Sequence, residues 1–282
     1  MKKTIIALVA TIMAGACVFF ACSKEEDRTL KNEKCLNVSE KNFPFEKIHE
    51  LAQNHNIFLD KIFDNLDISA EDLISEMDNA IERTHFGDIS EEEMNYIFEY
   101  SFKEKENPST TEDMICKINQ SEYVEAKNTV IDFILCMQNI PIKEETSVFD
   151  VSIQVDQIIS TASKKLTNIN DLCVVAAYGE VYKESLRYWF PEEFGGIGRG
   201  YYILNAGNQT KSKPNSSRGK KIAGQAALAD CEAAATGMVA TAVAGVICPP
   251  ATAAGLVCTG VGVALSSGWA AIKEAAKTRK KR

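Results

Sequence analysis

Histidine is scarce in this chain. There are three, alongside nine cysteines and two tryptophans. The scarcity narrows the chemistry. His49 and His55 share the stretch HELAQNH, but a zinc-protease helix needs H-E-x-x-H, and here the fifth position is Gln53. Six residues are 600° of helix, so the two rings diverge by about 120°. His55 falls on an apolar face and reads as a satisfied core residue, with Asn56 beside it for a buried polar contact. His85, two residues before Gly87, sits where a helix ends. There is no C-x-x-C, which excludes a thioredoxin-like motif and a zinc ribbon. G-x-S-x-G is missing, and no acidic segment has the alternation and central glycine of an EF-hand loop. Gly195, Gly196, Gly198 and Gly200 do not form G-x-G-x-x-G and no Gly-Lys-Ser/Thr follows, so that stretch reads as a turn. No catalytic residue, metal ligand or cofactor site is indicated.

Charge is missing from one long stretch. Between Ala233 and Ile272 there is no Asp, Glu, Lys or Arg. The chain as a whole carries a formal net charge of −8, with 25% charged and 45% hydrophobic residues. Those proportions suit a packed globular core. The charge is uneven: the chain from Ala206 onward is basic and the body before it strongly acidic. An acidic body repels phosphate and speaks against nucleic acid as a partner.

The N-terminus, MKKTIIALVATIMAGACVFFACSKEED, joins Lys2 and Lys3 to an apolar run that ends at cysteine and then charge. It resembles the signal of bacterial lipoproteins, which signal peptidase II cleaves before a cysteine that becomes lipid-modified. The resemblance implies lipidation at Cys22, preceded by Ala21 and followed by Ser23-Lys24-Glu25-Glu26-Asp27. Cys17, preceded by Ala14-Gly15-Ala16, is the alternative, but it would leave Val18-Phe19-Phe20 at the start of the mature chain. Ser23 after the cysteine implies outer-membrane sorting, and the Lys/acidic run looks like a surface-export tag. The expected location is the outer membrane or cell surface, with the membrane as a partner through the N-terminal lipid. The layout is also similar to lipoproteins of unknown function, which supplies no residue roles. Lipidation at Cys22 leaves an odd number of cysteines: Cys35, Cys116, Cys136, Cys173, Cys231, Cys248 and Cys258. Of these, Cys116, Cys136 and Cys173 fall in helical patterns and read as buried small apolar residues.

The pattern elsewhere is helical, and the expected class is all-α: a helical bundle followed by a Gly/Ala-rich C-terminal helical hairpin. Ile48, Leu51, Ala52, His55, Leu59, Ile62 and Leu66 recur at three and four, which predicts a helix from Pro44 to Leu66. Ser69 with Asp72, and Ser90 with Glu93, read as N-caps with an acid three residues on, opening helices over 70–84 and 91–105. KENPSTTED reads as a break. Further helices are predicted over 122–137, 148–166 and 171–190, the last closed into the core by Leu186, Trp189 and Phe190. Tyr201, Tyr202, Ile203 and Leu204 are expected to pack back on the bundle. The organisation is then a signal peptide over 1–21, a tether over 22–43, a helical domain over 44–205, a basic flexible linker over 206–222, and the hairpin with its basic tail over 223–282.

Pro249-Pro250 divides the uncharged stretch into two arms. Gly237, Thr241 and Gly245 recur every four residues on the first arm, and Gly260, Ala264 and Gly268 on the second. Such small-xxx-small rows let helices approach closely, so each arm is expected to press its small face on the other. The larger rows, Val239-Val243-Ile247 and Val257-Val261-Leu265-Trp269, face the other way. The second arm spans about 33 Å and the first about 24 Å, so only the second matches a bilayer core. Three readings follow: an accessory buried in the body, a membrane-entering hairpin, or a piece similar in composition to membrane-active bacteriocin peptides, released near Arg218-Gly219-Lys220-Lys221. The sequence favours a non-enzymatic binding module that takes a protein partner or a second copy through the hairpin. The alternative is a bacteriocin-like precursor restrained by the acidic body.

The lipidation site makes the first prediction. Cells fed labelled palmitate should label the wild-type chain and Cys17→Ser alike, and should fail to label Cys22→Ser. Label that persists in Cys22→Ser and vanishes in Cys17→Ser would move the site.

Overall fold

The computed structural model describes residues 45–87, 91–107, 110–142, 146–206, 226–233 and 253–279, with backbone alone at some positions inside the helices. Among these residues there are helices and no strands, so the protein is all-α. We number the helices α1 (Phe45–Asp64), α2 (Leu73–Arg83), α3 (Glu91–Glu106), α4 (Thr111–Gln120), α5 (Lys127–Gln138), α6 (Val148–Lys165), α7 (Ile169–Trp189), α8 (Arg199–Ala206), α9 (226–233) and α10 (Ala253–Arg279).

Helix α7 is the axis of one half. Of its 21 residues 16 are buried, far more than an amphipathic surface helix can bury, so it must be surrounded. It packs against α1, α5 and α6, with α8 at its end. The other half is built on α10, which packs against α1, α2 and α3. Helix α1 belongs to both halves. Leu186, Tyr188, Trp189 and Phe190 all lie in the core, and Trp189 meets Phe63 edge-on at 5.9 Å between ring centroids.

The helix starts show local chemistry at work. Asp72, not Ser69, caps α2: its side chain accepts from the N–H groups of Ile74 and Ser75. Ser69 instead donates its N–H to Asp67 at 2.9 Å, closing the turn before the helix. The Asp side chain is too short to reach back from the third helical position, so it serves as the cap itself. Ser90 lies outside the described residues. Helix α4 fills part of the stretch expected to be a break. Thr110 and Asp113 form a reciprocal capping box there. The next helix therefore starts at Lys127 rather than at residue 122. It has no side-chain cap of its own, and Asp171 supplies one from α7. The buried carboxylate of Asp171 accepts the N–H of Glu125 at 2.8 Å and of Ala126 at 2.9 Å.

The glycine-rich stretch is a turn followed by a helix. Gly195 (φ 82°) and Gly198 (φ 63°) take left-handed conformations that L-residues avoid, and α8 begins directly after them. Tyr201 packs inward as expected, whereas Tyr202 is half exposed. Among the cysteines, Cys173 is buried as expected, but Cys116 and Cys136 are exposed because they fall on the outer faces of α4 and α5. Cys231 is buried.

The cross-helix cap is testable. Asp171→Ala strands two N–H groups and should lower stability to urea by about 1–3 kcal/mol. Asp132→Ala, on the exposed face of α5, should change it by less than about 0.5 kcal/mol.

Candidate functional site

A polar seam runs along the contact between α1 and α7. His49, Asn56 and Asp60 of α1 meet Glu180, the Glu184 carbonyl and Tyr188 of α7 in the same order along both helices, so the two helices run parallel. At one end, His49 Nδ1 stands 3.2 Å from Glu180 Oε2, and Gln53 approaches the other ring nitrogen at 3.0 Å. Glu180 is buried, and Lys183 reaches its second oxygen at 2.7 Å while also holding Asp156 at 2.6 Å. Burial pulls the Lys183 ammonium down, but Glu180 and Asp156 outweigh it and hold its pKa above the ordinary value. At the other end, Tyr188 donates to Asp60 at 2.8 Å, and Arg199 of α8 binds Asp60 at 2.6 Å and Asp64 at 3.0 Å. Burial, then the Asp60 charge, raises the Tyr188 phenol.

Beside the seam, on neighbouring faces of α1 and α7, α9 inserts three consecutive ionisable residues. Asp230, Cys231 and Glu232 are 0%, 0% and 4% exposed. Asp230 accepts the hydroxyl proton of Ser185 and faces His55 Nε2 at 3.4 Å. His55 donates from Nδ1 to the carbonyl of Ala52 at 2.5 Å. At 3.4 Å the Nε2 contact is an ion-pair distance when the ring carries its second proton, and is longer than a normal hydrogen bond. Cys231 is close enough to Tyr178 and Tyr182 of α7 for its charge to act on both phenols. Burial raises both phenols, and raises the Cys231 thiol with added repulsion from Asp230 and Glu232. Glu232 accepts from Thr111 of α4 at 2.5 Å, and burial pushes its carboxyl up to about 7.

Ser, His and Asp thus meet, but in the wrong order for acyl transfer. A nucleophilic serine must hand its proton to the imidazole, with the carboxylate behind. Here the carboxylate stands between the two, and Ser185, His55 and Asp230 are each 0% exposed. The arrangement fixes α9 to α1 and α7. Among the described residues, no group of three or more His, Cys, Asp or Glu side chains is placed to hold a metal ion.

Of the residues singled out in the sequence, Cys17, Cys22, Gly237, Thr241 and Gly245 lie outside the described residues. Gly260, Ala264 and Gly268 lie on α10, whose residues 260–269 are all buried. A Cβ on Gly260 would stand 3.3 Å from the Phe58 ring and 3.7 Å from Leu51. One on Gly268 would stand 2.8 Å from Met77 Cε and 3.6 Å from Leu59. This small row is thus packed against α1 and α2. The larger row is not turned outward either, since Val261, Leu265 and Trp269 are at most 1% exposed. Trp269 donates to Ser101 at 3.0 Å and Lys273 to the Glu104 carbonyl at 2.9 Å, so the basic end of α10 touches the acidic body. Among the described residues no helix is long and apolar enough to cross a membrane. Sequence reasoning missed Asp230 and Glu232. The available signal was their position, the last charges before the uncharged stretch, together with a core histidine that needed a partner.

No protein family matches the chain, and no curated protein or solved structure matches it.

The buried pair predicts a strong coupling. Asp230→Ala should cost about 3–5 kcal/mol, because it leaves His55 without its partner in the core. The double variant His55→Leu with Asp230→Leu should cost less than the two single changes summed, by at least about 1 kcal/mol in a urea double-mutant cycle. Additive losses would show that the pair is not coupled.

Proposed function

We propose that the chain is an exported, lipid-anchored protein of the outer membrane or cell surface. It works without catalysis, as an interaction module that binds protein, a second copy of itself in the simplest case, through its C-terminal hairpin. The N-terminal signal supports the location. One observation supports the mode of action. The small row of α10 is filled by Leu51, Phe58, Leu59 and Met77, so this uncharged sequence serves as a helix-packing surface against protein. The first arm carries a similar row at Gly237, Thr241 and Gly245. Close backbone approach at such rows gains dispersion contacts with any helix of matching shape.

The competing reading, a membrane-active tail restrained by the body, is favoured by the contact of Lys273 with α3 and by the sheathing of α10. One pair of measurements separates them. The chain from Ser23 onward, without lipid, should stay with the unbound fraction when spun with anionic liposomes. It should sediment as a concentration-dependent dimer that Gly245→Leu abolishes. Flotation that survives high salt would sink the protein-binding reading and support the membrane-active one.

A further inference from the structure

The three residues Asp230-Cys231-Glu232 stand immediately before the uncharged stretch, and each docks on different neighbours. Asp230 meets Ser185 of α7 and His55 of α1. Cys231 lies near Tyr178 and Tyr182 of α7. Glu232 meets Thr111 of α4, whose hydroxyl also accepts from Gln138 of α5 at 3.3 Å. We propose that this plug is a pH-sensitive clasp: it holds α9, which leads into the uncharged stretch, in the core while the Glu232 carboxyl is protonated, and loosens when the carboxylate forms.

The surroundings of Glu232 supply the reason. Its side chain is buried, and the charged groups that act on it most are themselves acidic: Glu112 and Asp113 from α4 and Glu104 from α3. On its own segment stand Asp230 and the Cys231 thiol, and α7 presents the Tyr178 phenol. Lys117 of α4 lies near Glu104 and Asp113, and burial lowers its pKa. Thr111 donates the only favourable contact to the ionised form among the groups that act most on Glu232. An anion formed here loses water and gains three like charges.

The sign follows from linkage. The folded carboxyl titrates at about 7, against 4.5 for the free group. Docking of α9 therefore binds a proton between those values. The stabilisation is fully present below pH 4.5 and is lost as pH rises through 7. Asp230 has its own partners, and no change at Asp230 is needed for the clasp. The proposal concerns how α9 is held and stands independently of what the hairpin binds.

Hydrogen exchange on the full chain, corrected for the intrinsic pH dependence of exchange, tests it. Protection of residues 226–233 relative to α7 should fall at least about tenfold from pH 5.5 to pH 8.5 in the wild type. Glu232→Gln, which keeps the shape and the bond to Thr111, should flatten that dependence. Thr111→Val removes the contact that favours the anion, so the fall should extend to higher pH. Protection that does not vary with pH, or a dependence that survives Glu232→Gln, would overturn the clasp. Parallel loss of protection in α7 and α9 would overturn it too, since the event would then be global unfolding.

Discussion

Helix α1 must satisfy two unlike neighbours at once. Toward α10 it offers Leu51, Phe58 and Leu59, which lie against a row of small residues. Toward α7 and α9 it offers His49, His55, Asn56 and Asp60, each matched to a polar group. Both demands are met on a helix of 20 residues: His49, Asn56 and Asp60 fall within about 40° of one another on the α7 side, while His55 falls among Leu51, Phe58 and Leu59 and reaches Asp230 from there. Without α1 the two halves of the molecule would share little, since α7 and α10 both pack on it. Helix α2, with its own face toward α10, is likewise positioned by α1.

Ionisable groups in a core are not an obvious way to gain stability. Taking a carboxylate and an imidazole out of water costs several kcal/mol, which their attraction only repays when the geometry is good. Two leucines at positions 55 and 230 would hold α9 at least as tightly by area alone. What leucines would lack is a fixed register. Apolar surfaces slide by a turn at small cost, whereas Asp230 has to meet both Ser185 and His55. The seam along α1 and α7 works in the same way. Its contacts are spaced so that a one-turn slip would break the pairs His49–Glu180, Asn56–Glu184 and Asp60–Tyr188 together. The polar groups thus specify the arrangement, and the apolar area around them stabilises it.

Much of this was legible in the sequence. The three-and-four spacing of Ile48 to Leu66 marked α1, and the aromatic run at Tyr188 to Phe190 marked the end of the core helix, because periodicity records burial directly. The signature of α4, Thr110 followed by Asp113, was also present, but Pro108 and the polar run around it made it read as a break. Asp171 was invisible as a cap for a different reason: it acts across 45 residues of chain, and no local pattern encodes such a partner. The small row on α10 read as a surface for the other arm of the hairpin, and Gly260 and Gly268 lie against α1 and α2. Which helices it meets depends on tertiary arrangement, and periodicity carries no information about that. His55 was readable as a core histidine, yet its carboxylate lies in a segment whose own pattern is simply alanine-rich.

The chain treats its uncharged stretch asymmetrically. On the C-terminal side, α10 is sheathed along residues 260–269 by three helices and finished by Trp269 on Ser101 and Lys273 on α3. On the N-terminal side, the eight residues 226–233 bury only small apolar side chains, Ala226, Ala227, Cys231 and Ala233, and add the side-chain contacts of Asp230 and Glu232. Dispersion and apolar burial over a long helix respond little to pH and are lost only when the helices separate together. Contacts through a carboxyl group can be weakened one at a time by the gain or loss of a single proton. A partly opened state of this fold therefore has a preferred order. Helix α9 releases first, while α10 stays packed on α1, because the free energy of local opening scales with what each segment buries and α9 buries far less.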